Sequence, residues 1–245
     1  MHNEQRLEEQ AIAKAAEMQL SSRLDAAEKI DVDIQTDLLK VILGHVDSVE
    51  IAGRGLVLQK DIRLQEMEVQ TDSVDINPLS VLFGEVELNK PIDANIRIVV
   101  TQADLNRALN SDYILSKAKN LKLNVDGQTV TLDMQQMELR LPDGEEMLFS
   151  GKSLIHESGN TQPLSFTAKC RPRTNQHPIL LEEFQCNEGH SISLDVTVAM
   201  MQKIKELTTL PYFNFQGTRV SIQEMEVQTG RIVLQIQAHI IKLPS

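Results

Sequence analysis

The alternation of hydrophobic and polar residues divides the chain into a helical N-terminal segment and a long remainder. Residues 4–29 are rich in strong helix formers and contain neither Gly nor Pro, which predicts one long helix. Its polar strip is narrow and its apolar arc is wide and rich in alanine, which suits a helix wrapped by a sheet or one that lies on a sheet. The residues expected against the sheet are Leu7, Ala15 and Met18, and those expected in water are Lys14, Glu17 and Ser21.

From residue 30 onward, apolar residues recur at every second position in short segments, which is the period of β-strands. The sequence QEMEVQT stands at 65–71 and again at 223–229, and a looser copy, QQMEL, stands at 135–139. In each copy the apolar phase slips by one residue at the paired polar positions, which predicts a β-bulge there. Three such bulges indicate a sheet that curls.

A shorter repeat joins helical turns to strands. The segment Asp37-Leu38-Leu39 leads to Leu43-Gly44, and Asn77-Pro78-Leu79 leads to Phe83-Gly84 at the same spacing. In both copies a polar N-cap residue precedes an apolar turn, and a Gly ends the turn in the left-handed conformation. A further helix is predicted at 102–118, where Thr101 and Asp104 resemble a capping box, and another at 199–208.

These patterns predict an α+β fold in a single domain of residues 1–245. A long N-terminal helix (1–30) is expected to be wrapped by a highly curved, bulged antiparallel β-sheet with short inserted helices (31–245).

Composition and charge exclude several classes of protein. Aromatic residues make up 3% of the chain, Trp is absent and the formal net charge is −11, which argues against nucleic-acid binding. The first ten residues lack an apolar run preceded by basic residues, and no apolar run is long enough to span a bilayer. We therefore expect a cytoplasmic protein, or one peripheral on the cytoplasmic face of a membrane.

The sequence offers little catalytic or metal-binding chemistry. It contains no HExxH, GxSxG or GxGxxG motif. Its most plausible metal ligands, Cys170, His177, Cys186 and His190, have spacings that match no common zinc pattern. The sequence predicts a protein that is not an enzyme and has no cofactor.

Two local features suit contact with a membrane. Lys169, Arg171 and Arg173 form a basic cluster, although charges at such spacing also suit a solvated surface. Aromatic residues beside Pro211 could lie at a lipid interface or form a small core cluster. The candidate membrane-contact residues are Leu39, Ile42, Leu82, Phe83, Tyr212, Phe213 and Phe215.

The turn that begins at Asn77-Pro78-Leu79 and ends at Gly84, together with the run TQADLNRALNS from Thr101, resembles the bacterial LmeA-like phospholipid-binding family. The resemblance extends over roughly residues 10–240. It implies a tubular lipid-binding architecture similar to that of the bactericidal/permeability-increasing and synaptotagmin-like families. In that architecture a curved sheet wraps a long helix and acyl chains occupy the seam.

The leading hypothesis is a lipid carrier or lipid-presenting protein that binds glycerolipid or phospholipid acyl chains in an apolar groove at a membrane. The expected partner is a phospholipid or a glycolipid. Methionines at the repeat positions would adapt the lining to acyl chains of different length. The rival hypothesis is a scaffold or assembly protein whose curled sheet is fully packed and binds no lipid. The predicted groove lining is Leu64, Met67, Val69, Met134, Met137, Leu139, Ile222, Met225 and Val227.

Overall fold

The structure is a computed structural model. The residues that it describes are 10, 13–14, 16–18, 20–22, 24–36, 38–59, 62–77, 79, 87–142, 146–157, 159–188, 194–208, 213–215 and 218–241.

The fold is predominantly β, and the predicted α+β class with a long N-terminal helix is wrong. Of the residues described, 60% lie in strands and 21% in helices, and the sheets are curled and antiparallel. The helices with defined bounds are α1 (Leu38–Ile42), α2 (Gln102–Leu109), α3 (Asp112–Lys117) and α4 (Leu194–Thr208). The strands are β1 (Lys29–Gln35), β2 (His45–Val46), β3 (Ser48–Gln59), β4 (Ile62–Thr71), β5 (Val74–Asp75), β6 (Ile92–Thr101), β7 (Leu121–Val125), β8 (Gln128–Arg140), β9 (Met147–Glu157), β10 (Asn160–Arg171), β11 (Leu180–Glu188), β12 (Phe213–Phe215), β13 (Thr218–Gln228) and β14 (Arg231–Ile240).

The N-terminal helix is shorter than predicted because the chain after residue 22 bonds to a strand. Helical residues are described between 10 and 22 only, and residues 24–28 are already bends and a bridge. The N–H of Asp25 donates to the carbonyl of Val57 at 2.9 Å, and the N–H of Val57 donates to the carbonyl of Ala26 at 2.8 Å. These bonds to β3 replace the bonds that would continue the helix, so tertiary pairing overrides helix propensity.

The face that this N-terminal segment buries also differs from the prediction. Ala13, Ala16 and Leu20 pack against the apolar cluster of β1, whereas Met18 is 67% exposed. Lys14 and Ser21 are exposed, as predicted, and Glu17 is half-buried. Leu7 and Ala15 lie outside the residues that the structure describes.

The chain forms two compact units. Unit 1 comprises 1–99, 211–223 and 234–245, and unit 2 comprises 100–210 and 224–233. Unit 1 contains most of a seven-stranded sheet with the order β1-β3-β4-β6-β14-β13-β12, and also the two-stranded sheet β2-β5. Unit 2 contains the five-stranded sheet β11-β10-β9-β8-β7.

In unit 1 the short repeat folds as the sequence predicts where it is described. Gly44 follows α1 with φ 82°, the left-handed conformation that ends the helical turn. The side chain of Asn77 accepts a hydrogen bond from the N–H of Leu79 at 3.1 Å, as an N-cap does. Strands β2 and β5 pair antiparallel and hold the two copies together.

In unit 2 a tight hairpin joins β7 to β8. Val125 pairs with Gln128, and the two residues between them, Asp126 and Gly127, have φ 49° and 82°. Positive φ at both positions gives the turn the twist that antiparallel strands need. Helix α2 begins at its predicted cap, because the hydroxyl of Thr101 accepts from the N–H of Asp104 at 3.1 Å.

The three predicted bulges have different outcomes. In β8 the register against β9 shifts between Met134 and Gln136, which confirms the bulge there. In β4 the register against β3 is regular through residues 65–66, so the bulge predicted there is wrong. Gly55 of β3, with φ 57°, lies opposite Gln65. The alternation of side chains therefore shifts at the same level in both strands, and the register between them is kept. The pairing of β12 with β13 ends at Val220, before the third copy, so the bulge at Gln223-Glu224 stays a prediction.

Candidate functional site

Unit 1 presents a half-buried apolar face on its large sheet. Met67 pairs directly with Ile98 of β6, and Val69 pairs with Ile96 and with Ile51 of β3. Side chains directly opposite each other on neighbouring strands lie on the same side of a sheet. We call Ile51, Met67, Val69, Ile96 and Ile98 the apolar face; all five side chains are partly exposed.

The opposite side of the same strands is polar. Arg97 lies 3.6 Å from carboxylate oxygens of both Glu66 and Glu68. His239 of β14 lies 2.8 Å from Asp93 of β6 on this side. The sheet therefore separates a charged surface from an apolar one, as strand alternation requires.

The β1 margin of the apolar face is covered. Val32 and Ile34 of β1 belong to a buried cluster with Val46, Val74 and Ile76. Ala13, Ala16 and Leu20 pack against this cluster, and so does Ile51. Met67, Val69, Ile96 and Ile98 are not among the residues of that cluster, so the described residues leave the centre of the face half-exposed.

Unit 2 closes its corresponding face with helices. Met134 and Met137 of β8 are buried in a cluster that includes Val196 and Met200 of α4. Residues of α2 and α3, such as Leu109 and Ile114, pack against the same cluster. A methyl group at Gly151 would come within 2.7 Å of the Phe166 ring and 2.8 Å of Met134 Cε, so this core has no spare space.

A ladder of side-chain amides seals the edge of β8 beyond its pairing with β7. Asn106 accepts from the N–H of Leu139 at 2.7 Å and donates to the Leu139 carbonyl at 2.8 Å. Asn110 makes the same two bonds to Met137, at 3.0 and 2.6 Å. The Gln102 side chain accepts from the N–H of Leu141 at 2.7 Å. Helix α2 and its C-cap thus take the place of a neighbouring strand.

The ladder depends on a match between helix and strand spacing. Gln102, Asn106 and Asn110 recur every four residues, which is about 6 Å along a helix. Alternate residues of a strand are separated by about 6.7 Å. The sequence marker TQADLNRALNS contains all three amides, and their spacing is the signal that could have identified the ladder.

The basic cluster of unit 2 is paired with carboxylates. Lys169 Nζ lies 2.8 Å from Glu146, and Arg171 contacts Glu182. Lys169 lines a shallow cavity of about 310 Å³ on the outer side of the five-stranded sheet, together with Arg140 and Glu183. These contacts are those of a solvated, charge-balanced surface.

The nine predicted lining residues are divided between the units. Leu64 and Val227 are buried, and Leu139, Ile222 and Met225 are half-buried. Leu64, Met67, Val69 and Ile222 belong to unit 1, and the other five belong to unit 2. Ile96 and Ile98 are not among the nine predicted residues, although the strand-like alternation of residues 92–100 is the signal that could have identified them.

The predicted membrane-contact residues are only partly described. Leu39 and Ile42 lie on α1 and are strongly exposed. Phe213 and Phe215 lie in β12, and their side chains are outside the description, as are Leu82, Phe83 and Tyr212 altogether. No helix in the described ranges has the length and apolar character needed to cross a bilayer.

Among the carboxyl groups with lowered pKa values, Asp75 and Asp133 have different causes. In β5, the ammonium of Lys90 at 2.7 Å and then His45 at 2.9 Å hold the pKa of Asp75 below its usual value. In β8, the backbone N–H of Asn120, at 2.6 Å, is the main cause of the lowered pKa of Asp133. Among the described His, Cys, Asp and Glu residues, no group of three is placed to hold a metal ion.

Comparison with known proteins identifies the family. No curated protein and no solved structure matches the chain. The model of the LmeA-like phospholipid-binding family matches residues 4–237, nearly the whole chain. The chain therefore belongs to the LmeA-like phospholipid-binding family, as its sequence predicts.

Proposed function

We propose that the protein is a non-enzymatic lipid carrier that binds phospholipid acyl chains on the apolar face of unit 1. Membership of a phospholipid-binding family supports lipid as the ligand. The observation that carries the location is the half-exposure of Met67, Val69, Ile96 and Ile98 on one side of the sheet. Met67 and Val69 come from the predicted lining.

The chemistry of this face suits acyl chains. It is built from aliphatic side chains and a thioether, so it offers dispersion and burial without a fixed polar partner. Each CH₂ removed from water contributes about 0.8 kcal/mol, so a long acyl chain gains sufficient affinity from contact alone. Met67 is flexible and can adapt to chains of different length.

A pair of variants on one strand tests the proposal. Met67→Gln places an amide on the apolar face, and Glu68→Gln, its neighbour on the polar side, is the matched control. We expect native mass spectrometry to show a bound phospholipid mass in the wild type and in Glu68→Gln, and little of it in Met67→Gln. The delipidated Met67→Gln protein should lose about 1 kcal/mol or less in unfolding free energy, because its amide can reach water.

The rival scaffold hypothesis makes the opposite prediction. In a fully packed sheet, Met67→Gln would bury an amide without a partner and cost roughly 2–5 kcal/mol. A strongly destabilised Met67→Gln protein that still carries the wild-type amount of phospholipid would reject the proposed site.

A further inference from the structure

We propose that unit 1 docks on a lipid bilayer through an apolar tip. The tip consists of Leu39 and Ile42 of α1, Leu43 directly after it, and Leu79 of the second copy of the short repeat. This inference deepens the proposed function and rests on it, because a carrier must bring its lipid to a bilayer.

The four side chains of the tip are among the most exposed apolar ones described. Leu39 is 73% exposed, Ile42 60%, Leu43 80% and Leu79 66%. Single exposed leucines are common on protein surfaces. Leu39, Ile42 and Leu43 lie within five residues of one another, and Leu79 lies three residues after Ile76, which is bonded to Gly44. Exposed apolar side chains that are grouped in this way mark sites of contact with other molecules.

Leu43 precedes β2 and Leu79 follows β5, and these two stretches of chain leave the sheet β2-β5 at the same end. These strands are antiparallel, and His45 at the start of β2 pairs with Asp75 at the end of β5. The chain before β2 and the chain after β5 therefore leave at one end. The N–H of Ile76 donates to the carbonyl of Gly44 at 2.8 Å, which holds the residues beside Leu43 close to the start of the second turn.

Apolar side chains continue from the tip toward the apolar face. Val46, Val74 and Ile76 are buried at the base of the tip and belong to one cluster with Ile34 of β1. β3 follows β2 along the chain and β4 precedes β5, and the first pair between β3 and β4 on this side is Val49 with Thr71. Val69, the next residue on that side of β4, belongs to the apolar face. The buried cluster therefore fixes the tip to the sheet that carries the apolar face.

The charged side chains near the tip are balanced, so they give no preference for anionic head groups. Lys40 Nζ lies 2.7 Å from Asp47, and Lys90 Nζ lies 2.7 Å from Asp75, so the two cations are balanced by two carboxylates. The chain as a whole carries a net charge of −11, which gives no attraction to anionic lipids. Insertion of leucines remains as the source of affinity.

The size of the tip favours a bilayer over a protein partner. Specific protein interfaces bury roughly 1,200–2,000 Å², far more than four side chains supply. A bilayer needs no matching shape, and binding to it scales with the apolar area buried, so four apolar side chains suit reversible interfacial binding.

Vesicle binding of tip variants tests the proposal. Leu43→Ser should weaken partitioning into phosphatidylcholine vesicles about tenfold, and Leu43→Ser with Leu79→Ser about a hundredfold. The matched control is Leu194→Ser, since Leu194 is 76% exposed but lies on α4 of unit 2. We expect binding to vesicles that contain phosphatidylglycerol to be no stronger than binding to phosphatidylcholine vesicles, because the chain carries a net negative charge.

The absence of tryptophan from the chain allows a second, direct measurement. In Leu43→Trp the new side chain is the sole tryptophan, and its emission should shift to the blue on phosphatidylcholine vesicles and be quenched by brominated lipid. In Leu194→Trp neither change should occur. Both positions are exposed, so neither substitution removes a core contact.

Several results would overturn the docking surface. They are unchanged vesicle binding in the double variant, equal quenching at positions 43 and 194, binding only to anionic vesicles, or a change of oligomeric state in the double variant. Lipid uptake is measured separately: a tip variant that keeps its bound phospholipid mass leaves the proposed function intact whatever the vesicles show.

Discussion

The two units build similar sheets and cover them differently. Each has an antiparallel sheet with one apolar side. In unit 2 that side is closed by α4 and by residues of α2 and α3. In unit 1 the N-terminal segment packs against the cluster at the β1 margin and Met67 and Ile98 are left half-exposed.

The strand edges show the same difference. In unit 2 the edge of β8 receives five hydrogen bonds from Gln102, Asn106 and Asn110. In unit 1 the side chain of Glu17 reaches the N–H of Val32 in the edge strand β1 at 3.5 Å, the limit of a hydrogen bond. The elements packed on the apolar side, rather than the strands themselves, decide whether a sheet forms a closed core or keeps a partly exposed face.

The internal repeat makes this comparison sharp. Met67 and Met137 occupy equivalent positions in two copies of the repeat, yet Met137 is 8% exposed and Met67 is half-buried. The same sequence pattern is therefore buried in unit 2 and half-exposed in unit 1, and the elements packed against it make the difference.

The largest predicted effect is that of Met137→Gln. Its amide would be enclosed by the core of unit 2 without a partner, so we expect a loss of roughly 2–5 kcal/mol in unfolding free energy. Met67→Gln should lose far less. Chemical denaturation of the two delipidated variants measures both. Equal losses would show that the two methionines have equivalent environments and would remove the contrast between the units.

Much of the β-structure could be predicted from the sequence because its signals are local. The strand period, the cap of α2 at Thr101 and the left-handed Gly44 each depend on neighbours along the chain. The length of the N-terminal helix could not be predicted in this way. Its end depends on the bonds that Asp25 and Ala26 make with Val57, a residue far away in sequence.

The candidate site shows the same limit. Strand phase placed Met67 and Val69 on an apolar side, and the structure agrees. The same phase placed Met134 and Met137 on an apolar side, but a period of two carries no information about α4, which covers them. Alternation identifies a face, and only tertiary packing decides whether that face is open.

A smaller effect is predicted for the amide ladder. Asn106→Ala removes both partners of Leu139 on the edge of β8, and we expect a loss of about 1–3 kcal/mol in unfolding free energy. Hydrogen exchange at the amide of Leu139 should become faster. Asn95→Ala, on the exposed polar side of β6, is the control and should change neither quantity. Unchanged exchange at Leu139 in Asn106→Ala would show that the ladder does not hold the edge.

The smallest predicted effect concerns acid and salt. A carboxyl whose pKa is lowered in the folded protein stabilises it above the ordinary pKa of about 3.9, and this stabilisation is lost as the pH falls through the lowered value. Asp75→Asn and Asp133→Asn should therefore each lower the melting temperature at pH 7, and each difference from the wild type should shrink toward pH 2.5.

High salt should distinguish the effect of Asp75 in unit 1 from the effect of Asp133 in unit 2. The Asp75 effect comes first from its hydrogen bond with the ammonium of Lys90, and because this ion pair is solvent-exposed it should weaken at 1 M salt, where the screening length is about 3 Å. The Asp133 effect comes first from the backbone N–H of Asn120 and should largely persist, so an equal loss of both effects in salt would contradict these assigned causes.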